Sequence, residues 1–142
     1  MRNVNQILGG KSGRLVTVPK EAPVLEVIRL MAENHIGSVL VMQGDEIVGI
    51  ATERDYARKV ILQGRSSADT PVGQIMSSPV ITVSSIDTAP TCMALMTERR
   101  IRHLPVVDDG KLMGMVSIGD LVKAVIEDQQ LEIEQLQQYI AS

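Results

Sequence analysis

Aromatic side chains are almost absent from this 142-residue chain: there is no Phe, no Trp, and only Tyr56 and Tyr139. Stacking of unpaired bases on aromatic platforms is therefore not its chemistry. An excess of positive charge is missing too. The formal net charge is −3, without the basic footprint of a nucleic-acid binder. Cys92 is the single cysteine, which rules out an internal disulfide and fits a reducing compartment, the cytoplasm by default. Between Thr91 and Met93 in a helical pattern, Cys92 reads as a small buried apolar residue rather than a reactive thiol. No apolar run approaches the roughly 18 residues of a membrane span, and none follows the N-terminal charges as in a secretory signal. What is left is an ordinary soluble chain of one compact domain, or of two half-domains sharing a core. That core must be built from Val, Ile, Leu and Met.

What the chain does have is a duplication. Val16–Ile61 reappears as Ile81–Ile126 at a constant offset of 65 residues, without a gap. The offset takes Thr17 to Thr82, Leu30-Met31 to Leu95-Met96, Ile36 to Ile101, Gly49 to Gly114 and Asp55 to Asp120. One supersecondary unit used twice is expected to bury a face against its copy and to create two related clefts. Differences between the copies should then tell the clefts apart.

Each copy reads as β-α-β-β-α, an α/β (α+β) fold. Short strands open the copies at Leu15–Val18 and Val80–Val83. In copy one Val24, Val27, Ile28 and Met31 form an apolar stripe at helical spacing. In copy two Ser84, Ser85 and Asp87 offer helix caps, and Pro90 suits a first turn. Continuous apolar strands follow at Ser38–Met42 and Leu104–Val107, then Gly-containing turns and second strands at Ile47–Ala51 and Leu112–Val116. Helices close the copies, from Glu53 to Leu62 and from Gly119 onward. A lead-in repeats as well: Val4–Leu8 matches Val72–Met76, at an offset of 68. The boundaries expected are a first unit with its lead-in at 1–62, a polar linker at 63–71, a second unit at 72–126 and a helical extension at 127–142. Ile126, Ile133 and Ile140 lie seven apart with Leu136 on the same side, which suits packing either on the chain's own domain or on a partner subunit.

The chemistry concentrates in Gly49-Ile50-Ala51-Thr52-Glu53-Arg54-Asp55 and Gly114-Met115-Val116-Ser117-Ile118-Gly119-Asp120. In each, a strand ends, a hydroxyl residue takes the N-cap, and an Asp falls in the first helical turn. One reading is structural, a capping box with an acid at the positive end of a helix. The other is a binding site. Free N–H groups and a cap hydroxyl suit a phosphate, and a carboxylate can accept from two vicinal ribose hydroxyls. Copy two adds Arg99, Arg100, Arg102 and His103 just before a buried strand. Arg99 and Arg100 fit a solvated helix end, whereas Arg102 and His103 are placed to face a cleft, and Arg forks match phosphate. Copy one has Gly37 in place of Arg102, and has Arg54 where copy two has Gly119.

With its two Gly-hydrophobic-x-Thr/Ser-x-x-Asp turns, its RIRHLPVVD segment and its QIM-SSPVITV lead-in, the chain resembles a tandem cystathionine-β-synthase (CBS) domain pair. This is the Bateman module, here of the short stand-alone kind. The resemblance implies two units packed with pseudo-twofold symmetry, further pairing into a homodimer, and adenosine-containing ligands (AMP, ADP, ATP, NAD or S-adenosylmethionine) in the clefts. Carried over by position, Asp55 and Asp120 would take ribose hydroxyls. Thr52, Ser117, Arg102 and His103 would approach ribose or phosphate. Leu15 and Val80, with Ile36 and Pro105, would line adenine pockets. The function implied is a non-catalytic sensor read by an effector protein that the sequence does not name. The alternative is a homodimerisation module with vestigial clefts.

Other readings are weaker. Gly9-Gly10-Lys11-Ser12-Gly13 imitates a Walker loop, but position 5 is Asn where that motif needs Gly. Lys11 and Arg14 are left as candidate phosphate contacts. His35 and His103 are not equivalent and have no ligand cluster, which argues against a metal. No nucleophile-base-orienter set suggests catalysis.

Overall fold

The computed structural model describes residues 2–10 and 15–141. Two compact units are present, Arg14–Val80, and Met1–Gly13 together with Ile81–Ser142.

In the first-repeat unit, β1 (Thr17–Val18) runs parallel to β2 (Ser38–Gln43), and β2 pairs antiparallel with β3 (Glu46–Thr52). The register sets Val18 beside Val41 and Ser38 beside Thr52. Helix α2 (Val24–Asn34) buries Val24, Val27 and Met31, the stripe its spacing requires. These residues meet Val18, Val39, Val41, Ala51 and Val60 in one core. Pro23 gives α2 no side-chain cap, so its first N–H groups must find other acceptors. The stretch read as a linker supplies them: Val24 N donates to Thr70 O at 2.8 Å and Leu25 N to Ser67 O at 2.9 Å. Residues 63–71 are thus part of this unit, with Thr70 buried. The closing helix also departs from the expected Glu53–Leu62 span. Helix α3 covers Glu53–Tyr56, and Ala57–Ile61 continues as a wider π turn.

The second-repeat unit follows the same plan. Strands β4 (His103–Asp108) and β5 (Lys111–Ser117) pair antiparallel. Helix α4 (Ala89–Arg99) packs on them through Ala89, Cys92 and Met96, and α5 (Ile118–Ala141) through Leu121 and Ala124. Of the strand expected at Val80–Val83, one parallel bridge remains, from Val83 to Val106. The N-cap of α4 is Thr88, which accepts from Thr91 N. Ser84, Ser85 and Asp87 instead order the loop before it: Ser84 N donates to Asp87 and Ser85 N to Asp108. The bond from Ser85 N first, with the Ser85 and Ser84 hydroxyls, holds the Asp108 carboxyl below its ordinary pKa. Burial pushes the Cys92 thiol up, and the charge of Asp87 adds to it. Cys92 is therefore a core residue, as its position suggests.

The lead-ins do not group with the repeats that follow them. Helix α1 (Val4–Gly9), capped by a reciprocal Asn3–Gln6 pair, buries Val4 and Ile7 in the second-repeat core. Val72–Gln74 forms a 3₁₀ turn that buries Val72 in the first-repeat core, as Ile75 does just after it. Ser77 then extends the sheet edge, its N–H donating to Ile50 O at 2.8 Å. The expected 1–62 and 72–126 division follows chain order. The cores instead pair each repeat with the lead-in that precedes the other one. The contact explains both repeat glycines. A Cβ on Gly49 would stand 2.7 Å from Met76 Cγ and 3.0 Å from its Cβ, and one on Gly114 would stand 2.9 Å from Leu8 Cδ2.

Gly49→Ala must therefore displace Met76 close to its backbone, whereas Gly114→Ala meets only the flexible tip of Leu8. Urea denaturation is expected to show Gly49→Ala destabilised by about 1–3 kcal/mol and Gly114→Ala by less than about 1 kcal/mol. Met76→Ala should recover part of the first loss. Equal losses at the two positions would refute this packing.

Candidate functional site

At the open end of the β4–β5 hairpin, four candidate residues converge. His103 and Ser117 are direct partners across the ladder. The next amide, Ile118 N, donates to Arg102 O at 2.9 Å. Ser117 N donates to Asp120 Oδ2 at 2.9 Å, and Asp120 N donates back to Ser117 Oγ at 3.1 Å. The reciprocal pair turns the chain from strand into helix α5. Arg102 is exposed; His103, Ser117 and Asp120 are half-buried. Pro105 is buried two residues further along β4, and its carbonyl accepts from Val83 N at 3.0 Å.

The first-repeat turn has the same skeleton. Ser38 faces Thr52, and Glu53 N donates to Gly37 O at 3.3 Å. Asp55 Oδ2 accepts from Thr52 N at 3.0 Å and Thr52 Oγ1 at 3.1 Å, while Asp55 N donates to Thr52 Oγ1 at 3.2 Å. The capping reading of both turns is thus correct as geometry. Arg54 lies exposed in the first turn of α3, and Ile36 is half-buried before β2. Leu15, 40 % exposed, enters the unit two residues ahead of β1. Parallel pairing of Thr17 with Leu40 brings its register level to Ser38. Val80, half-buried, lies three residues before the Val83 bridge.

The other carboxylate oxygen of Asp55 is engaged as well. Asp55 is 6 % exposed, and its Oδ1 lies 3.0 Å from Lys59 Nζ and accepts from Ser77 Oγ at 3.0 Å. Lys59 Nζ also donates to Ile75 O at 3.0 Å. A buried carboxylate is tolerated when paired and hydrogen-bonded, and this one has four donors on two oxygens. Sequence reasoning did not single out Lys59 or Ser77. Lys59 was within reach of it, since Asp and Lys at i and i+4 share a helix face. Ser77 was not, because it arrives with a lead-in that chain order assigns to the other repeat. Lys11 and Arg14 lie outside the described residues. Among the described residues, no group of three or more His, Cys, Asp or Glu is gathered for a metal, and no helix is long and apolar enough to cross a membrane.

A duplicated α/β unit with a hydroxyl–carboxylate turn at each strand-to-helix junction defines a class of tandem repeat modules. The chain belongs to the CBS domain family, whose model matches residues 11–61 and again 72–127. It is 43 % identical over 122 residues to the CBS domain-containing protein CBSX3, mitochondrial, of Arabidopsis thaliana; the match covers 82 % of this chain and 59 % of that relative. The chain thus spans less than two thirds of that plant protein. It is similar to a solved protein with CBS domains from Burkholderia ambifaria, at 55 % identity and TM-score 0.86 over 89 % of this chain and 96 % of the other. A CBS domain protein from Pyrobaculum aerophilum, solved in complex with AMP, is 29 % identical at TM-score 0.73, covering 83 % of this chain and 88 % of its own.

The two carboxylates should differ in what their removal costs. Asp55→Ala opens a gap at a buried position and removes the acceptor of a lysine and a serine that both reach solvent, an expected loss of about 2 kcal/mol. Asp120→Ala removes a cap partner, about 1 kcal/mol. Urea midpoints of the two variants measure this difference, and a larger loss at Asp120 would contradict the geometry.

Proposed function

We propose that the chain is a non-catalytic sensor whose second-repeat turn binds an adenosine-containing ligand. The observation that carries the reading is the convergence of Arg102, His103, Ser117 and Asp120 at the N-terminus of a 24-residue helix. The helix start favours an anion through its free N–H groups and its dipole. Arg102 supplies a fork for phosphate, with His103 beside it. Asp120 is the acceptor for the ribose hydroxyls, and Ser117 stands between ribose and phosphate. The backbone near Pro105 is the adenine-facing wall. Thr52, Arg54, Asp55, Leu15 and Ile36 are the corresponding positions of the first repeat. The AMP complex of the Pyrobaculum aerophilum relative supports the ligand class; the candidates are AMP, ADP, ATP and NAD. Sensing further requires that the ligand bind two states of the chain unequally, with an effector protein reading the difference.

Small molecules released by denaturing freshly purified protein test this directly. With two Tyr and no Trp, the chain absorbs weakly, so a carried adenine compound stands out near 260 nm and mass spectrometry names it. Titration with AMP, ATP and NAD follows. Asp120→Ala is expected to weaken the bound ligand about 10–100-fold, the range of a lost charged hydrogen bond. Undiminished affinity in that variant would refute the site.

A homodimer is the second element of the proposal, and helix α5 supports it. Ile126, Ile133 and Ile140 recur at one heptad position and Val122, Gln129 and Leu136 at another. Of these, Ile133 is 48 %, Leu136 61 % and Ile140 80 % exposed. Ile at one seam position with Leu at the other favours two strands, and one polar seam residue sets register. The partner that such a seam fits is a second copy of the same helix. The alternative function, a dimerisation module with vestigial turns, draws on this seam and on the buried engagement of Asp55. Ile133→Glu with Ile140→Glu should convert dimer to monomer in sedimentation equilibrium. The fold should remain stable to within about 0.5 kcal/mol, as befits exposed sites. A dimer that survives both charges would place the interface elsewhere.

A further inference from the structure

Resting on the α5 homodimer, we propose that the two copies of this helix lie side by side, in register and with their N-termini at the same end, so that Gln129 meets Gln129 across the seam. From Gln129 to Ala141 every residue of α5 is exposed. An exposed helical end of this length is marginal in water, so the stretch calls for a partner. The acids of this half of the helix show which kind. Glu127 and Asp128 lie off the seam and pair with Arg2 at 2.7 and 3.0 Å, and Glu134 shares the side of Glu127. The seam itself carries no charge. Its flanks beyond Ile126 offer Gln130 and Gln137 on one side and a single acid, Glu132, on the other. A basic partner would find little to pair with there, whereas a second copy meets a matching apolar strip. That strip is continuous: an open groove at Ile118, Val122 and Ile126 runs on into the exposed Ile133, Leu136 and Ile140 along one 24-residue helix.

The direction follows from Gln129, the polar residue at the two seam positions between Val122 and Ile140. When both helices run the same way, like positions face each other. Ile126, Ile133 and Ile140 then meet their own copies, and the two Gln129 amides meet, each able to donate and to accept. Reversing one helix exchanges the two seam positions. In every reversed register that covers Ile133, Gln129 would face an isoleucine, and both amides would be buried without a partner. The flanks agree. Side by side, Glu132 faces Gln137 of the second copy, whereas the reversed pair with the longest overlap sets Glu132 against Glu132, a like-charge contact. Both Ser117–Asp120 turns, at the start of α5, consequently stand at the same end of the dimer.

Disulfide cross-linking of the full chain reads the direction. Cys92 is buried, so the unaltered chain serves as the blank. Ile126→Cys and Leu136→Cys, oxidised separately under mild conditions, should each convert most of the chain to a disulfide-linked dimer. The two positions lie about 15 Å apart along the helix, so no reversed pair can bring both into contact with themselves. Ile140→Cys stands in for Leu136→Cys should the reduced form of the latter sediment as a monomer. A mixture of the two Cys variants should give no product that links one to the other. Adding Gln129→Leu to both, which keeps the seam apolar, should leave a dimer without the preference, and the mixed product then appears. Self-linkage at one position only, at neither, or linkage only between unlike variants overturns the arrangement. A Gln129→Leu mixture that still gives self-products alone overturns the role of Gln129. Sedimentation of the unaltered chain as a monomer overturns the α5 homodimer itself, an outcome distinct from the others.

Discussion

The reciprocal bond between a cap hydroxyl and a carboxylate three residues on sets the direction in which each repeat leaves its sheet. Thr52 with Asp55, and Ser117 with Asp120, satisfy amides that the strand no longer pairs and the helix does not yet pair. The closing helix then returns over the strands at an angle that brings Val60, or Leu121 and Ala124, into the core. Without the turn, the apolar face of that helix would have no fixed relation to its sheet. Everything that packs on it, including the exchanged lead-ins against Gly49 and Gly114, follows from this junction.

The cap uses one oxygen of each Asp, so a turn of this kind is compatible with a structural role and a binding role at once. Its function is decided by what meets the carboxylate from outside the cap. In the first repeat the answer is a lysine four residues on and a serine from the lead-in, and the carboxylate is buried among them. In the second, Ala124 stands in register with Lys59, and Arg102 and His103 stand at the neighbouring strand end. The choice between cap and ligand site, left open by residue types alone, therefore turns on the surroundings of each copy separately.

The repeat offset made much of this legible. Continuous apolar runs joined by Gly-containing turns gave the hairpins, helical spacing gave α2, and the hydroxyl-to-Asp spacing gave both junctions. Three things were hidden for physical reasons. A lead-in of five residues with two or three apolar side chains can enter either core, because burial energy does not depend on chain order. Residues 63–71 look like a linker by composition, yet Pro23 leaves α2 uncapped and their carbonyls supply the missing acceptors. Val80–Val83 has strand-like residues, but with only Val83 bridged to Val106 it gains too few ladder bonds to count as a strand. Asp55 was legible as a cap partner from its spacing to Thr52, and its other partner Ser77 became visible only once the lead-in was located.

The backbone keeps the two copies alike even where doing so is costly. Helices α2 and α4 both end on a residue in the left-handed region, His35 at φ 53° and Arg100 at φ 55°. Each is followed by an isoleucine whose N–H reaches back to a methionine carbonyl at 3.0 Å. Glycine would occupy those caps more cheaply, by about 1 kcal/mol each, so the chain path is conserved between copies by geometry rather than by residue type. The strand registers match in the same way, Ser38 with Thr52 and His103 with Ser117. The paths part only beyond the junction, where Ala57–Ile61 widens into a π turn and α5 stays α-helical. At the junction itself the frame is common and the side chains are exchanged, Gly37 for Arg102 and Arg54 for Gly119. A duplicated turn can thus keep its cap bonds while the side chains around it change, with no change in how the strand hands over to the helix.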